Sequence, residues 1–494
     1  MKLKDILPLL KNIRIVGDAE VEVSDITYDS RTVIDNSVFV AIPGFKTDGS
    51  MYAIKAVQRG AKTVVLEKDM ALPEGITRVI VPNARIALAE LSSAFFGHPS
   101  RHLKMIGITG TNGKTTTSFL IEAILRKAGY KVGVIGTVEA RIDGKGVPVK
   151  LTTPESSELQ ELLAKMLKHG VTHVVMEVSS HSLELHRTHG CEFDVAIYTN
   201  LTHDHLDFHL NMQNYLKAKM KLFEKFGKGH KKEVTGIVNV DDPYGKKILT
   251  YIDGNIMTYG IINNANLRAS NLEWTLEQMK FDLETRDDKF KMNTHLVGVY
   301  NAYNIMAALL CGRVFGLPYD QMKKAVEEVK YIPGRFERVE AGQKFPVIVD
   351  FAHSPDSLTK LLEAIRPLVK GKIILVFGCP GDRDKAKRPV MGEIAVKLAD
   401  FTYVSTDDPH SEAPETIMNE IEEGVVRAGG SSGKNYSKIE DRKTAIEQAI
   451  HMAGADDAVV LAGRGHERAQ DYNGVKIQID DREVAREIIG KNKK

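Results

Sequence analysis

MIGITGTNGKTTTSFLIEAILRKAG, residues 105–129, reads as a strand, a glycine-bearing turn and a helix. Met105 to Thr109 form an apolar run of strand length. Phe119, Leu120, Ala123, Ile124 and Ala128 then recur at helical spacing until Gly129 stops the helix. Between them, Gly110 and Gly113 let backbone N–H groups converge on an anion at a helix N-terminus, where the helix dipole adds attraction. Lys114 can reach β- and γ-phosphates, and Thr115 can ligate Mg²⁺. The full Walker pattern wants a glycine where Ile108 stands, so the match is to the short form G-x-x-G-K-T. A nucleoside triphosphate is the expected ligand.

On either side of this unit, strands and helices alternate. Residues 1–100 hold VSDITYDSRTV, VFVAI and KTVVLE with a helical YAIKAVQRGA, the pattern of a small α/β domain. FFGHPSRHLK, punctuated by Gly97, Pro99 and Ser100, reads as a linker. Residues 101–333 carry the strand-like HVVMEV, VAIYTN and GIVNV, and alternation over 260–297 predicts antiparallel strands near an edge. From the turn at YIPGRFERVE, residues 334–494 repeat strand and helix through FPVIVDF, KIILVFG, FTYVST and DAVVLAG. The expected architecture is α/β in three domains, with a central P-loop-type parallel sheet and a C-terminal doubly wound, Rossmann-like sheet.

Composition agrees and excludes other classes. At roughly 150 residues per domain, a chain of this length makes about three domains. Lys and Arg total 67 against 65 Asp and Glu, too balanced for a chain that coats nucleic acid or anionic lipid. Three scattered cysteines, Cys191, Cys311 and Cys379, cannot frame disulfides or a zinc cluster, which points to a reducing cytosol. No apolar run approaches the roughly 18 residues of a membrane span, and MKLKDILPLLKNIR lacks a long apolar stretch and a small-residue cleavage site. A cytoplasmic protein without nucleic-acid or membrane partners is expected.

The reaction must be read from the ends of the later strands, where doubly wound sheets place their chemistry. Glu177 closes HVVMEVSSH as a candidate metal or phosphate ligand. TNLTHDHLDFH packs His203, Asp204, His205, Asp207 and His209 together; without zinc-type spacing, one histidine beside Mg²⁺ is expected, the others being solvated or packing residues. Lys219 has no spacing signal, and its neighbours Lys217 and Lys221 suggest an exposed helical face. Further on, Asp350 ends a strand, His353 precedes the Ser354–Pro355 helix start, and GCPGDRDKAKRP offers Arg383, Asp384 and Arg388. Arg383 can clamp a carboxylate bidentately. With TDDPHSEAP and GRGHE, four loops gather at one sheet edge.

GTNGKTT, EVSSH, NLTHDHLDFH with a downstream A-K, VGVYNAYNIMAA, PGRFE, DFAHSPDSL, GDRDKAKRP, TDDPHSE and GRGHE, in this order, resemble the Mur ligases across nearly the whole chain. The resemblance implies an ATP- and Mg²⁺-dependent amide ligase of peptidoglycan precursor synthesis; a monomer is expected. It would phosphorylate the D-Glu γ-carboxylate of UDP-N-acetylmuramoyl-L-Ala-D-Glu, and a diamino acid would attack the acyl phosphate. By this analogy Gly110, Thr111, Asn112, Gly113, Lys114, Thr115, Thr116, Asn301, Asn304, Arg335 and Asp350 contact the nucleotide. Thr115, Glu177 and His205 hold metal, and Lys219 is an N-carboxylysine, so that Lys114, Lys219, Glu177 and His205 form the catalytic set. Ser30, Thr152, Thr153, Ser179 and Arg187 fall at muropeptide contacts, and the N-terminal domain grips the UDP end.

Arg383, Asp407, Asp408, Pro409, His410, Gly463 and Glu467 match amino-acid contacts. The diaminopimelate-adding members carry D-N-P-R where this chain has Asp407, Asp408, Pro409 and His410. Histidine lacks the bidentate fork of arginine, yet Glu467 can bind the far ammonium. The expected amino acid is meso-diaminopimelate or a close analogue such as lanthionine, with L-lysine as the rival. Folylpolyglutamate synthetase and the next ligase of the pathway are the alternative activities.

Overall fold

A computed structural model describes residues 1–44, 47–224 and 226–491. The first sheet joins Arg14–Val16, Asp25–Thr27, Ser37–Val40, Thr63–Leu66 and Thr77–Ile80 in the order first, fifth, fourth, third, second. All pairs are parallel except the Arg14–Val16 edge. Helix Ala84–Phe95, capped by the Asn83 side chain, which accepts from Ile86 N at 2.9 Å, lays Ala84, Ala87, Leu88 and Leu91 on this sheet. In the segment read as a linker, Pro99 instead starts a short helix, Pro99–His102.

Among the described residues the central sheet has eleven strands. Its core runs Val132–Ile135, His173–Glu177, Lys104–Thr109, Val195–Tyr198, Thr235–Asn239, Asn255–Gly260, with every neighbouring pair parallel. Alternate residues of a strand face opposite sides, so Ile106 and Ile108 meet Leu120 and Ile124 of helix Lys114–Lys127 and Ile305 of helix Val299–Val314. Met105 meets the other layer, helices Ser156–Lys168 and Met212–Glu224, through Leu163 and Met220. Each such buried aliphatic side chain contributes about 1.5–3 kcal/mol over an exposed one. Leu267–Trp274 joins this core in parallel, and Met279–Glu284 and Lys289–Thr294 then follow it antiparallel at one edge, as the alternation over 260–297 predicts. A hairpin of Ala140–Ile142 and Lys145–Val147, turning at Asp143–Gly144, closes the other edge. Both edges are therefore antiparallel around a parallel core.

The third sheet runs Glu337–Arg338, Val347–Asp350, Ala458–Ala462, Ile373–Phe377, Phe401–Val404, Tyr436–Lys438, parallel but for its first pair. Two elements differ from the sequence reading. Tyr436–Lys438 is an extra edge strand, and after GRGHE the chain forms a hairpin, Ala469–Tyr472 with Val475–Gln478, before its last helix, Asp481–Lys491. Asn473 and Gly474 supply the positive φ angles of that turn. Among the described residues, no helix is long and apolar enough to cross a membrane.

Candidate active site

The phosphate loop lies at the carboxyl end of Lys104–Thr109. Gly113 has φ +90°, and a Cβ there would strike the Asn304 side chain; Gly110 has φ +151°, where a Cβ would strike Thr199. Neither position takes another residue without strain. Lys114 Nζ folds back to donate to the carbonyls of Gly110 (3.0 Å) and Thr111 (2.8 Å). Burial holds its pKa below the usual lysine value, with Glu177 and Asp204 pulling the other way. Thr111 Oγ1 pairs with Tyr215 OH at 3.1 Å, Asn112 Nδ2 donates to Asp356 at 3.0 Å, and Thr116 is buried in the first turn.

Glu177 is fully enclosed by donors. It accepts from Thr115 Oγ1 (3.0 Å), Thr137 N (3.0 Å) and Thr137 Oγ1 (2.9 Å). Arg335, arriving from the segment before the third sheet, donates from Nη2 to Thr115 Oγ1 at 3.3 Å and lies over the Phe351 ring at 4.4 Å. Among the described residues its buried Nε has no hydrogen-bond partner, and Asp350, half-buried beside it, accepts from Phe336 N at 2.7 Å. Burial raises the Asp350 pKa and Arg335 lowers it. Asn304 Nδ2 donates to Asn301 Oδ1 at 3.1 Å, and Asn301 Nδ2 donates to Val297 O at 2.8 Å, fixing both amides at the loop's flank.

The histidine cluster divides by environment. His209 is buried, stacks on Tyr215 and hydrogen-bonds Ser180 Oγ at 2.9 Å. His203 meets Asp384 of the third sheet's loop at 3.3 Å. His205, at φ +54°, sets Nε2 3.5 Å from Asp204 Oδ2 and its ring edge-on to His181. Burial drops its pKa to about 3, leaving a neutral imidazole able to ligate metal. Asp204 also faces His353, in the loop after Val347–Asp350, and Lys387, the first residue of helix Lys387–Leu398, each at 3.9 Å.

Lys219 does not lie on an exposed face. Lys217 is exposed, but Lys219 is 1% exposed with Nζ 4.4 Å from the Tyr215 ring centre. The helix Met212–Glu224 turns its apolar face inward, and position 219 falls on that face with Tyr215, Leu216 and Leu222. Burial, reinforced by Lys114, holds the Lys219 pKa far below the lysine range.

Thr152, Thr153, Ser179 and Arg187 come together beside Glu177. Thr153 Oγ1 donates to Glu177 O at 2.8 Å and accepts from Ser179 N at 3.2 Å. Arg187 donates to Thr153 O at 3.3 Å and to Glu155 at 2.9 Å, and Thr152 Oγ1 lies 3.3 Å from Thr137 Oγ1. Ser30 is buried in a loop of the first sheet, two residues from Tyr28, whose hydroxyl donates to Glu158 at 3.4 Å.

Across the cleft, Asp407, Asp408 and Glu467 offer oxygen atoms within 4.8 Å of one another. Buried Arg464 joins them, 2.9 Å from Asp408, 3.7 Å from Asp407 and 3.7 Å from Glu467. Among the described residues Asp407 Oδ2 is buried without a hydrogen-bond partner, and a Cβ on Gly463 would come within 2.6 Å of it. Desolvation, then Asp407 and Asp408, push the Glu467 pKa up to about 8. Pro409 leads into His410, whose backbone pairs with the hairpin (N to Asp471 O, 2.9 Å) and whose ring lies 3.7 Å from Asp471 Oδ2. Arg383 is exposed at the mouth, donating to Asp382 O at 3.2 Å. Arg388 is not a ligand group: it is fully buried against Glu412 and Glu420. Sequence reading passed over Thr137, Arg464 and Lys387. Thr137 stands just past a parallel strand's carboxyl end, a signal that was available; Arg464 and Lys387 sit inside quoted motifs but gain meaning only from their contacts.

Comparison with known proteins agrees along the chain. Residues 22–96 match the Mur ligase family catalytic domain, 108–312 the Mur ligase middle domain and 334–465 the Mur ligase glutamate ligase domain. A protein of Caldanaerobacter subterraneus subsp. tengcongensis, named UDP-N-acetylmuramoyl-L-alanyl-D-glutamate--2,6-diaminopimelate ligase, is 42% identical over 494 residues, 100% of both chains. One of the same name from Bacillus licheniformis is 42% identical over 99% of each. A solved structure of a ligase so named has TM-score 0.70 at 29% identity, covering 100% of both chains. The MurF ligase of Thermotoga maritima, solved with ADP, shares the fold at 20% identity, TM-score 0.65, over 95% of this chain and 98% of that one. The chain thus belongs to the Mur ligase family.

Proposed function

We propose that this chain is an ATP-dependent amide ligase that joins meso-diaminopimelate, or a close dicarboxylic diamino acid, to the D-Glu γ-carboxylate of UDP-N-acetylmuramoyl-L-Ala-D-Glu. The observation that carries the reading is that two groups meet at Arg335. It donates to Thr115 beside Glu177 at the phosphate loop and feels the charge of Glu467, which sits with Asp407 and Asp408 around Arg464. Three domains, 1–100, 101–333 and 334–494, would take the UDP-muropeptide, ATP and the amino acid respectively.

A carboxylate accepts an amine only once its oxygen becomes a leaving group, so this protein's residues must align two anions and a nucleophile. Lys114 swings from the carbonyls of Gly110 and Thr111 to the β/γ-phosphates, and Arg335 neutralises charge beside Thr115. Asn301, Asn304 and Asp350 frame the nucleotide, while Thr152, Thr153, Ser179, Arg187 and Ser30 hold the muropeptide. Thr115 and Glu177 present hard oxygen donors 3.0 Å apart and His205 a neutral nitrogen, a donor set that suits Mg²⁺. When bound, that ion would supply charge neutralisation on the phosphates. The burial that keeps Lys219 neutral also leaves its amine able to take up CO₂, giving a carbamate opposite Lys114. Glu467, with Asp407 and Asp408 behind it, would receive the distal ammonium, and Arg383 and His410 would face a carboxylate.

Phosphate release with ATP, Mg²⁺ and UDP-N-acetylmuramoyl-L-Ala-D-Glu tests this, adding meso-diaminopimelate, lanthionine, L-lysine and L-ornithine singly. Release dependent on diaminopimelate is expected. Release with L-lysine alone would reassign the amino acid, and silence with all four would overturn the ligase reading.

A further inference from the structure

Two acid-free basic runs take no part in the cleft: HPSRHLK, residues 98–104, and GKGHKK, residues 227–232. In a chain of net charge +2 they stand out, and the fold brings both to one cavity of about 330 Å³. It opens at the amino edge of the central sheet, the end opposite the phosphate loop, between helix Ala84–Phe95 and residues 189–193, Leu222 and 226–231. Phe193, Leu222 and Phe226, all buried, make an apolar floor, and Leu9 stands at the rim, 36% exposed.

The carboxylates at this place are already engaged. Glu192 accepts from Arg101 Nε (2.9 Å) and from the backbone N–H of His230 (2.6 Å) and Lys231 (3.1 Å). Glu90 meets His189 at 3.3 Å, and Asp194 pairs with Lys231 and Lys104. Lys228 lines the cavity and, among the described residues, makes no ion pair. Burial, then Arg101, lowers the His98 pKa, with Glu192 pulling the other way, so His98 lines the cavity as a neutral imidazole. An apolar floor beside one exposed lysine that is unpaired among the described residues, Lys228, matches an acid head on an apolar body.

We propose that this cavity binds a small dissolved anionic amphiphile, an apolar body ending in a phosphate or carboxylate. Phe193, Leu222 and Phe226 are only 8%, 4% and 3% exposed, so a dissolved molecule that enters the cavity reaches them and a flat bilayer does not. The occupant rests on Leu222, one helical turn from Lys219, so it bears on the element that positions the buried lysine.

Isothermal titration of the full chain with decyl phosphate, below its micelle concentration, tests the site, with decanol and inorganic phosphate as comparisons. One saturable site is expected, preferring decyl phosphate over decanol by about tenfold and weakening as salt rises. Lys228→Glu should abolish that preference while leaving decanol binding intact, and Leu9→Trp should weaken both. Absence of saturable binding, equal binding by wild type and both variants, or capture by phosphatidylglycerol vesicles without decyl phosphate binding would each overturn the proposal.

Discussion

Lys219 shows how far one buried amine departs from its ordinary chemistry. An ammonium at 1% exposure beside Lys114 is costly, so the neutral form is favoured. If its role is that of a carbamate, Lys219→Ala should lower kcat roughly 100-fold, with partial rescue by formate or acetate filling the space. Full activity in the alanine variant would remove the residue from the mechanism. Glu467 makes a second test. Its folded pKa, about 8, lies above its ordinary value of 4.5, so the folded state keeps a proton that the unfolded chain loses between those values. Stability therefore falls as pH rises through this window, and Glu467→Gln should flatten the slope of Tm against pH from 5 to 9. Its side chain is 33% exposed, so solvent blunts the size but not the sign. An unchanged slope would show that Glu467 titrates normally.

At the scale of elements, the site is made by strand ends and by what braces them. The hairpin Ala469–Tyr472 with Val475–Gln478 pairs with the loop bearing His410, whose φ of +50° and two backbone hydrogen bonds fix its direction. His410→Arg on this braced loop should raise kcat/KM for diaminopimelate relative to L-lysine by about tenfold, a bidentate guanidinium replacing an imidazole. An unchanged ratio would mean that the loop does not aim position 410 at the carboxylate. Sequence reading missed this hairpin although Asn473–Gly474 is its turn signal, and missed the Asp143–Gly144 hairpin likewise. The strands around them are short and polar, and hydrophobic periodicity carries little signal there.

Across the whole molecule, Asp204 bridges the central and third sheets. It holds His205 at 3.5 Å on its own side and meets Lys387 and His353 at 3.9 Å from the other. Those groups hold its carboxyl well below the usual range against burial. Asn112 with Asp356 and His203 with Asp384 add two further contacts across the cleft. Removing the central charge leaves buried Lys387 uncompensated. Asp204→Asn should therefore lose the compaction that small-angle scattering would detect when nucleotide and muropeptide bind the wild type. Compaction equal to wild type would show that closure does not depend on this carboxylate.

The sequence by itself determined the strand–turn–helix at 105–129, the parallel core and the nucleotide loop, because these follow from local periodicity and from glycines whose φ angles no other residue adopts freely. It also carried the order of motifs that marks the family. Only the tertiary structure decided that Lys219 is buried while Lys217 is not, that Arg388 braces Glu412 and Glu420, and that Asp204, Lys387 and His353 meet. Burial and charge pairing between residues far apart in the chain depend on how sheets dock, and no local pattern encodes that distance.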